Sequence, residues 1–198
     1  MSQMTETGVN YANALADAQK QGFAEADPTN VVCGFDAARK LAILSSIGFR
    51  ANVTFDDVLV EGIEKIDKSD IQYAKDMGYT IKLLTVALRQ ENGIALNVYP
   101  AFLPDNHPLS SVKGAYNAIY VTGNIVDDVM FYGRGAGALP TASAVMGDVI
   151  STAQHILNGS TGTGMIMTDT KRIPFYSSLK LQNSYYFRFC LLYTSPSP

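Results

Sequence analysis

The first third of the chain carries helical spacing. Tyr11, Ala14, Leu15 and Ala18 recur three and four residues apart, and Gly22 follows as a stop, so residues 5–21 read as a helix. A polar turn over residues 23–30 has Pro28 at its corner. A second helix is predicted from Gly34 to Phe49, where Ala37, Ala38, Leu41, Ala42, Leu44 and Ser45 make a small, largely apolar surface suited to burial. Residues 57–61 read as a short strand and 69–77 as a short polar helix stopped by Gly78. From Tyr79 the apolar period shortens to two. Residues 80–88, 94–99 and 115–122 read as strands, with a hairpin at Glu91-Asn-Gly93. A fourth strand, 128–132, ends in glycines. The helix predicted over 141–157 has an inward stripe of Ala142, Val145, Met146, Val149, Ala153 and Ile156. Residues 159–182 begin as a Gly/Ser/Thr-rich linker, and 185–189 read as one more strand. The sum is an α+β fold, a mainly antiparallel sheet flanked by helices.

Composition narrows the function classes. The chain has 198 residues, 47% hydrophobic and 17% charged, which rules out disorder throughout. Lys plus Arg number 15 against 18 Asp plus Glu, a net charge of −3, so no basic excess points to nucleic acid or an anionic membrane. No apolar run is long enough to span a bilayer, and the first residues do not read as a signal peptide. Cys33 and Cys190 stand far apart without metal-ligand spacing, which suits a reducing cytoplasm and argues against a disulfide scaffold or structural zinc. With His107 and His155 as the only histidines, no metal site is expected.

Two constellations could carry chemistry. In the first, Asp36 and Lys40 are four apart and share a helix face, with Glu25 on the preceding turn. Spacing alone allows an ordinary solvated ion pair, with Glu25 and Asp27 as turn residues. It also allows a lysine among apolar neighbours that transfers protons or holds a polar substrate. The second is Tyr132-Gly-Arg-Gly135-Ala136-Gly137-Ala-Leu-Pro140-Thr141, between a strand and a helix. Its glycines either let a ligand approach the backbone or only shape a sharp turn. The spacing is not that of a Rossmann fingerprint.

Taken together, the motifs resemble homoserine dehydrogenase, specifically the C-terminal half of its catalytic region. The matching stretches are Gly22-Phe-Ala-Glu25-Ala-Asp27-Pro28 and Gly34-x-Asp36-Ala-Ala-x-Lys40-Leu-x-Ile-Leu44. Then come His107-Pro-Leu-x-x-Val112-x-Gly114-x-x-Asn117-Ala-Ile119 and Tyr132-Gly-Arg-Gly-Ala-Gly137-x-x-Pro140-Thr-Ala-Ser-Ala-Val145-x-x-Asp148. The resemblance runs over about residues 3–157. It implies an oxidoreductase that interconverts L-aspartate 4-semialdehyde and L-homoserine with NADP or NAD, in the biosynthesis of threonine, methionine and isoleucine. It further implies Lys40 as acid/base at the reacting oxygen with Asp36 beside it, Glu25 and Asp27 as substrate-binding residues, and Gly135, Ala136 and Gly137 at the nicotinamide end of the cofactor. A homo-oligomer formed through the sheet is implied as well.

Three departures from the family pattern carry expectations. The nucleotide-binding Rossmann domain and the early substrate region do not precede Met1, so the chain reads as an internal fragment, inactive by itself. Val31 stands where the family usually has an aspartate that helps fix the substrate. Residues 183–198 resemble the truncated start of an ACT domain, with an unnatural tail from Cys190, leaving 1–158 as the partial catalytic domain. The competing reading is a non-catalytic oligomerisation or amino-acid-sensing module derived from the enzyme. Such a module would not need all three of Lys40, Asp36 and Glu25.

Overall fold

The computed structural model describes residues 4, 8–9, 11–20, 27–161, 173–175 and 183–189. Their order is α1 (Tyr11–Lys20), α2 (Thr29–Val32), α3 (Phe35–Phe49), β1 (Leu59–Val60), α4 (Lys68–Asp76), β2 (Tyr79–Gln90), β3 (Gly93–Pro104), β4 (Tyr116–Gly123), β5 (Asp127–Arg134) and α5 (Ala138–Leu157). The class is α+β, as the sequence pattern predicts. One expectation changes, because the strands form two sheets rather than one. The first has the order β1-β3-β2 and the second is the β4–β5 hairpin.

β2 and β3 pair antiparallel through twelve residues each, closed by Gln90 opposite Gly93, which puts the turn at Glu91-Asn92 where the hairpin signal lies. β1 is shorter than expected and runs parallel to β3, Leu59 opposite Asn97. Its predicted first residue is taken up by a 3-10 turn over Phe55–Asp57, where the Asp57 carboxylate accepts from the Thr54 amide at 2.8 Å and from its hydroxyl at 2.7 Å.

α1, α3 and α4 pack on one face of β2–β3. Ala38, Leu41 and Ala42 of α3 meet Ile94, Leu96 and Val98 of β3, with Ala51, Val53 and Val58 closing the cluster. Ala14 of α1 and Ile71 and Ala74 of α4 meet Ile81 of β2. Period-two alternation puts Leu84, Val86 and Leu88 of β2 with Ala95 and Asn97 of β3 on the opposite face. There Asn97 is buried, and its Oδ1 has no hydrogen-bond partner among the described residues.

Two further expectations are corrected. α5 forms where helical spacing places it, but its stripe faces no partner among the described residues: Val145, Met146, Val149 and Ile156 are all more than half exposed. A pattern of apolar positions shows that a face exists, not what covers it. Residues 185–189 form no strand and join no ladder. They are tied to α4 by side chains instead. Most of the linker and residues 190–198 lie outside the described residues.

In the β4–β5 hairpin, Tyr116 and Tyr132 stack at 4.8 Å with ring planes 2° apart, and the Arg134 guanidinium lies 5.0 Å from the Tyr116 ring centre.

Candidate functional site

The helix that carries the first constellation begins at a position only glycine suits. Gly34 has φ +81°, and a Cβ there would sit 3.1 Å from Val98 and 3.2 Å from Val60. The turn between α2 and α3 therefore presses directly onto the sheet. A short loop locks it further: Glu61 N–H donates to Val98 O at 2.7 Å, and Ile63 N–H donates to Val32 O at 3.0 Å. With the helix start fixed, Asp36 falls in the first turn of α3, where a carboxylate complements the helix dipole. Lys40 follows one turn later, and its Nζ lies 2.7 Å from Asp36 Oδ2.

That contact bears out the spacing argument, and of the two environments the spacing allows, the pair occupies the open one. The side chains of Lys40 and Asp36 are 70% and 48% exposed. The buried face of α3 is made by Ala38, Leu41, Ala42 and Ser45, while Ile43 and Leu44 share the open side with the ion pair. The ion pair thus lies on a surface that is partly apolar and open to a ligand or to another part of a protein.

Asp27 is committed locally. Its Oδ1 accepts from the Thr29 hydroxyl at 2.5 Å and from the Thr29 amide at 3.1 Å, which opens α2. The Thr29 hydroxyl, with help from its amide, holds the Asp27 carboxyl below the usual carboxylate range. Val31 on α2 is exposed, and Asn30 beside it accepts from Arg39 NH1 at 3.1 Å. Glu25 lies outside the described residues.

The glycine-rich stretch is the open turn between β5 and α5. Gly137, with φ +120°, is the N-cap of α5, and Thr141 N–H donates to its carbonyl at 3.1 Å. At Gly135 a Cβ would lie 2.3 Å from Asn117 Nδ2, so a side chain there would displace the Asn117 amide. Among the described residues no hydrogen bond or ion pair joins this turn to Lys40. The structure thus brings Asp36 and Lys40 together and leaves Gly135, Ala136 and Gly137 as a separate element.

Two residues that spacing does not single out border these features. Arg39 lies 5.3 Å from the centre of the Phe55 ring, at a groove of about 300 Å³ lined also by Ala42, Ile43, Ser46, Val53 and Thr54. Asn117 sits inside a quoted motif, but its packing against Gly135 crosses two strands and leaves no local signal.

Residues 1–150 match the family model described as homoserine dehydrogenase. The chain is 45% identical over 166 residues to the homoserine dehydrogenase of Bacillus subtilis, covering 84% of this chain and 38% of that protein. It is 49% identical over 167 residues to that of Mycobacterium tuberculosis, covering 82% and 38%. Among solved structures, a homoserine dehydrogenase from Thiobacillus denitrificans superposes with a TM-score of 0.81 at 38% identity, over 88% of this chain and 42% of that one. The Staphylococcus aureus homoserine dehydrogenase gives 0.72 at 41% identity, over 78% and 39%. The chain thus spans about two fifths of the length of the relatives it matches.

Proposed function

The chain belongs to the homoserine dehydrogenase family, and from that premise we propose that it forms the substrate-handling part of an oxidoreductase interconverting L-aspartate 4-semialdehyde and L-homoserine with NAD or NADP. The observation that carries this reading is the 2.7 Å contact between Lys40 Nζ and Asp36 Oδ2 on the open face of α3.

The turn before α5 fits the nicotinamide end of such a cofactor. Gly137 has no side chain to obstruct approach, and the first amides of α5 lack intrahelical acceptors. Gly135, Ala136 and Gly137 would line that end. The described residues contain no doubly wound parallel sheet, so they offer no holder for the phosphates. When bound, the cofactor supplies or accepts the hydride. Lys40 Nζ then donates a proton to the alkoxide developing from the aldehyde, and takes it back when homoserine is oxidised. Asp36 fixes the lysine head. Glu25 and Asp27 provide carboxylates for the substrate ammonium.

By the same reading, residues 1–158 are the partial catalytic domain, 159–182 a linker and 183–198 the start of an ACT domain. The pathway is the synthesis of threonine, methionine and isoleucine, in the cytoplasm. Subunits pair through the sheet, supported by the half-open apolar face of β2 and β3 opposite the helices. Joining this segment to the remaining part of a homoserine dehydrogenase and assaying homoserine-dependent reduction of NADP and NAD tests the proposal. A folded chimera that reduces neither cofactor overturns it.

A further inference from the structure

α4 begins with an unusual charge arrangement. Asp67 is its N-cap, and Asp70 completes the capping box three residues later. Asp67 Oδ1 accepts from the amides of Ser69 at 2.5 Å and Asp70 at 3.3 Å, and Asp70 Oδ2 accepts from the Asp67 amide at 3.0 Å. Two carboxylates thus crowd one helical turn. The Asp67 side chain is half exposed, but that of Asp70 is only 7% exposed. A buried carboxylate needs a countercharge or several donors, because the turn's own amides do not offset its desolvation and its repulsion from Asp67.

The countercharge comes from far along the chain. Arg188 Nε lies 2.9 Å from Asp70 Oδ1, and its NH2 lies 2.9 Å from Asp67 Oδ2, so one guanidinium bridges both acids. Two residues earlier, Tyr186 OH donates to Asp70 Oδ1 at 3.2 Å, and its ring stacks on Phe102 of β3 at 4.7 Å. Tyr186 and Arg188, two residues apart, thus both reach Asp70. The alternate residues Tyr185, Phe187 and Phe189 are 66%, 70% and 83% exposed.

We propose that residues 183–189 are an intramolecular latch on α4. Arg188 and Tyr186 seat the segment, and seating it completes the N-terminus of the helix. Segment and helix start are therefore one linked unit. Releasing the segment strands Asp70 without its cation and loosens the first turn of α4. Since Ile71 and Ala74 pack on Ile81, the path of the chain beyond α5 is coupled to the edge of β2.

The test uses the whole 198-residue chain and two readouts. Limited trypsin digestion reports on the Arg188–Phe189 bond, whose arginine is held while the latch is closed. Hydrogen exchange reports on the amides of α4. Arg188→Ala is expected to speed exchange in the first turn of α4 about tenfold or more, the scale of a charge-assisted hydrogen bond. Asp70→Asn is expected to speed cleavage after Arg188 by a similar factor, with cleavage after Arg134 in β5 as the control. If Asp70→Asn does not fold, Asp67→Asn and Tyr186→Phe serve in the cleavage assay. The latch is overturned if Arg188→Ala leaves α4 exchange unchanged, or if the wild-type chain is cut after Arg188 as fast as the variants.

Discussion

Lys40 and Asp36 form an exposed ion pair one helical turn apart, and such pairs add only about 0.3–0.5 kcal/mol to a fold. Lys40→Ala in a complete enzyme is therefore expected to leave thermal unfolding nearly unchanged while lowering turnover roughly 10²–10⁴-fold. Turnover per folded molecule, measured beside a melting curve, checks this. A destabilised variant with undiminished turnover makes Lys40 structural. At Val31, exposed on α2, a side chain can be exchanged without disturbing the core. Restoring a carboxylate there adds a charge-assisted partner worth about 1.5–3 kcal/mol, so Val31→Asp is expected to lower the Michaelis constant for homoserine roughly 10- to 100-fold. Steady-state kinetics at saturating cofactor decide it, and an unchanged constant means Glu25 and Asp27 suffice. The Asp36–Lys40 pairing was legible in the sequence because a helix fixes the geometry of residues four apart. Its exposure was not, since Ala38, Leu41 and Ala42 turn toward β3 and the ion pair turns away. Which of two apolar-flanked faces meets the sheet depends on Gly34 pressing against Val60 and Val98, the latter a contact across more than sixty positions.

At the scale of elements, the N-terminus of α4 has a definite acid response. Burial would raise the Asp67 carboxyl, but the Ser69 amide and hydroxyl, the Asp70 amide and Arg188 outweigh it and hold the group below its ordinary value. A depressed carboxyl contributes stability above the unfolded-state pKa, near about 4, and that contribution is lost as pH falls through the lower folded value. Amide exchange in the first turn of α4 is thus expected to accelerate below about pH 4, over and above its intrinsic pH dependence. In Asp67→Asn the acceleration is expected to shrink, and an unaltered profile assigns the acid response to another group. Strands β2 to β5 and helices α3 to α5 were all legible, since each carries a sustained period and most end at a glycine or turn signal. Segment 183–189 was not. Its alternation suits a strand, but Arg188 and Tyr186 find side-chain partners on α4 rather than a backbone edge.

At the scale of the molecule, the described residues pack two apolar clusters on one side of β2–β3 and leave α5 and the β4–β5 hairpin open. The 198-residue chain assayed by itself is expected to show no turnover of homoserine, because its described residues lack a phosphate-binding sheet and turn. Homoserine-dependent cofactor reduction by the purified chain would overturn that expectation. The same openness gives the hairpin an optical use. The chain has no tryptophan, so its near-ultraviolet signal comes mainly from tyrosine and phenylalanine. Tyr116 and Tyr132, nearly parallel at 4.8 Å and on opposite strands, form a coupled chromophore pair. Their circular dichroism disappears when β4 and β5 part, and Tyr132→Phe isolates it. Opening of the β4–β5 hairpin can thus be followed in the polypeptide's own spectrum, without an added label.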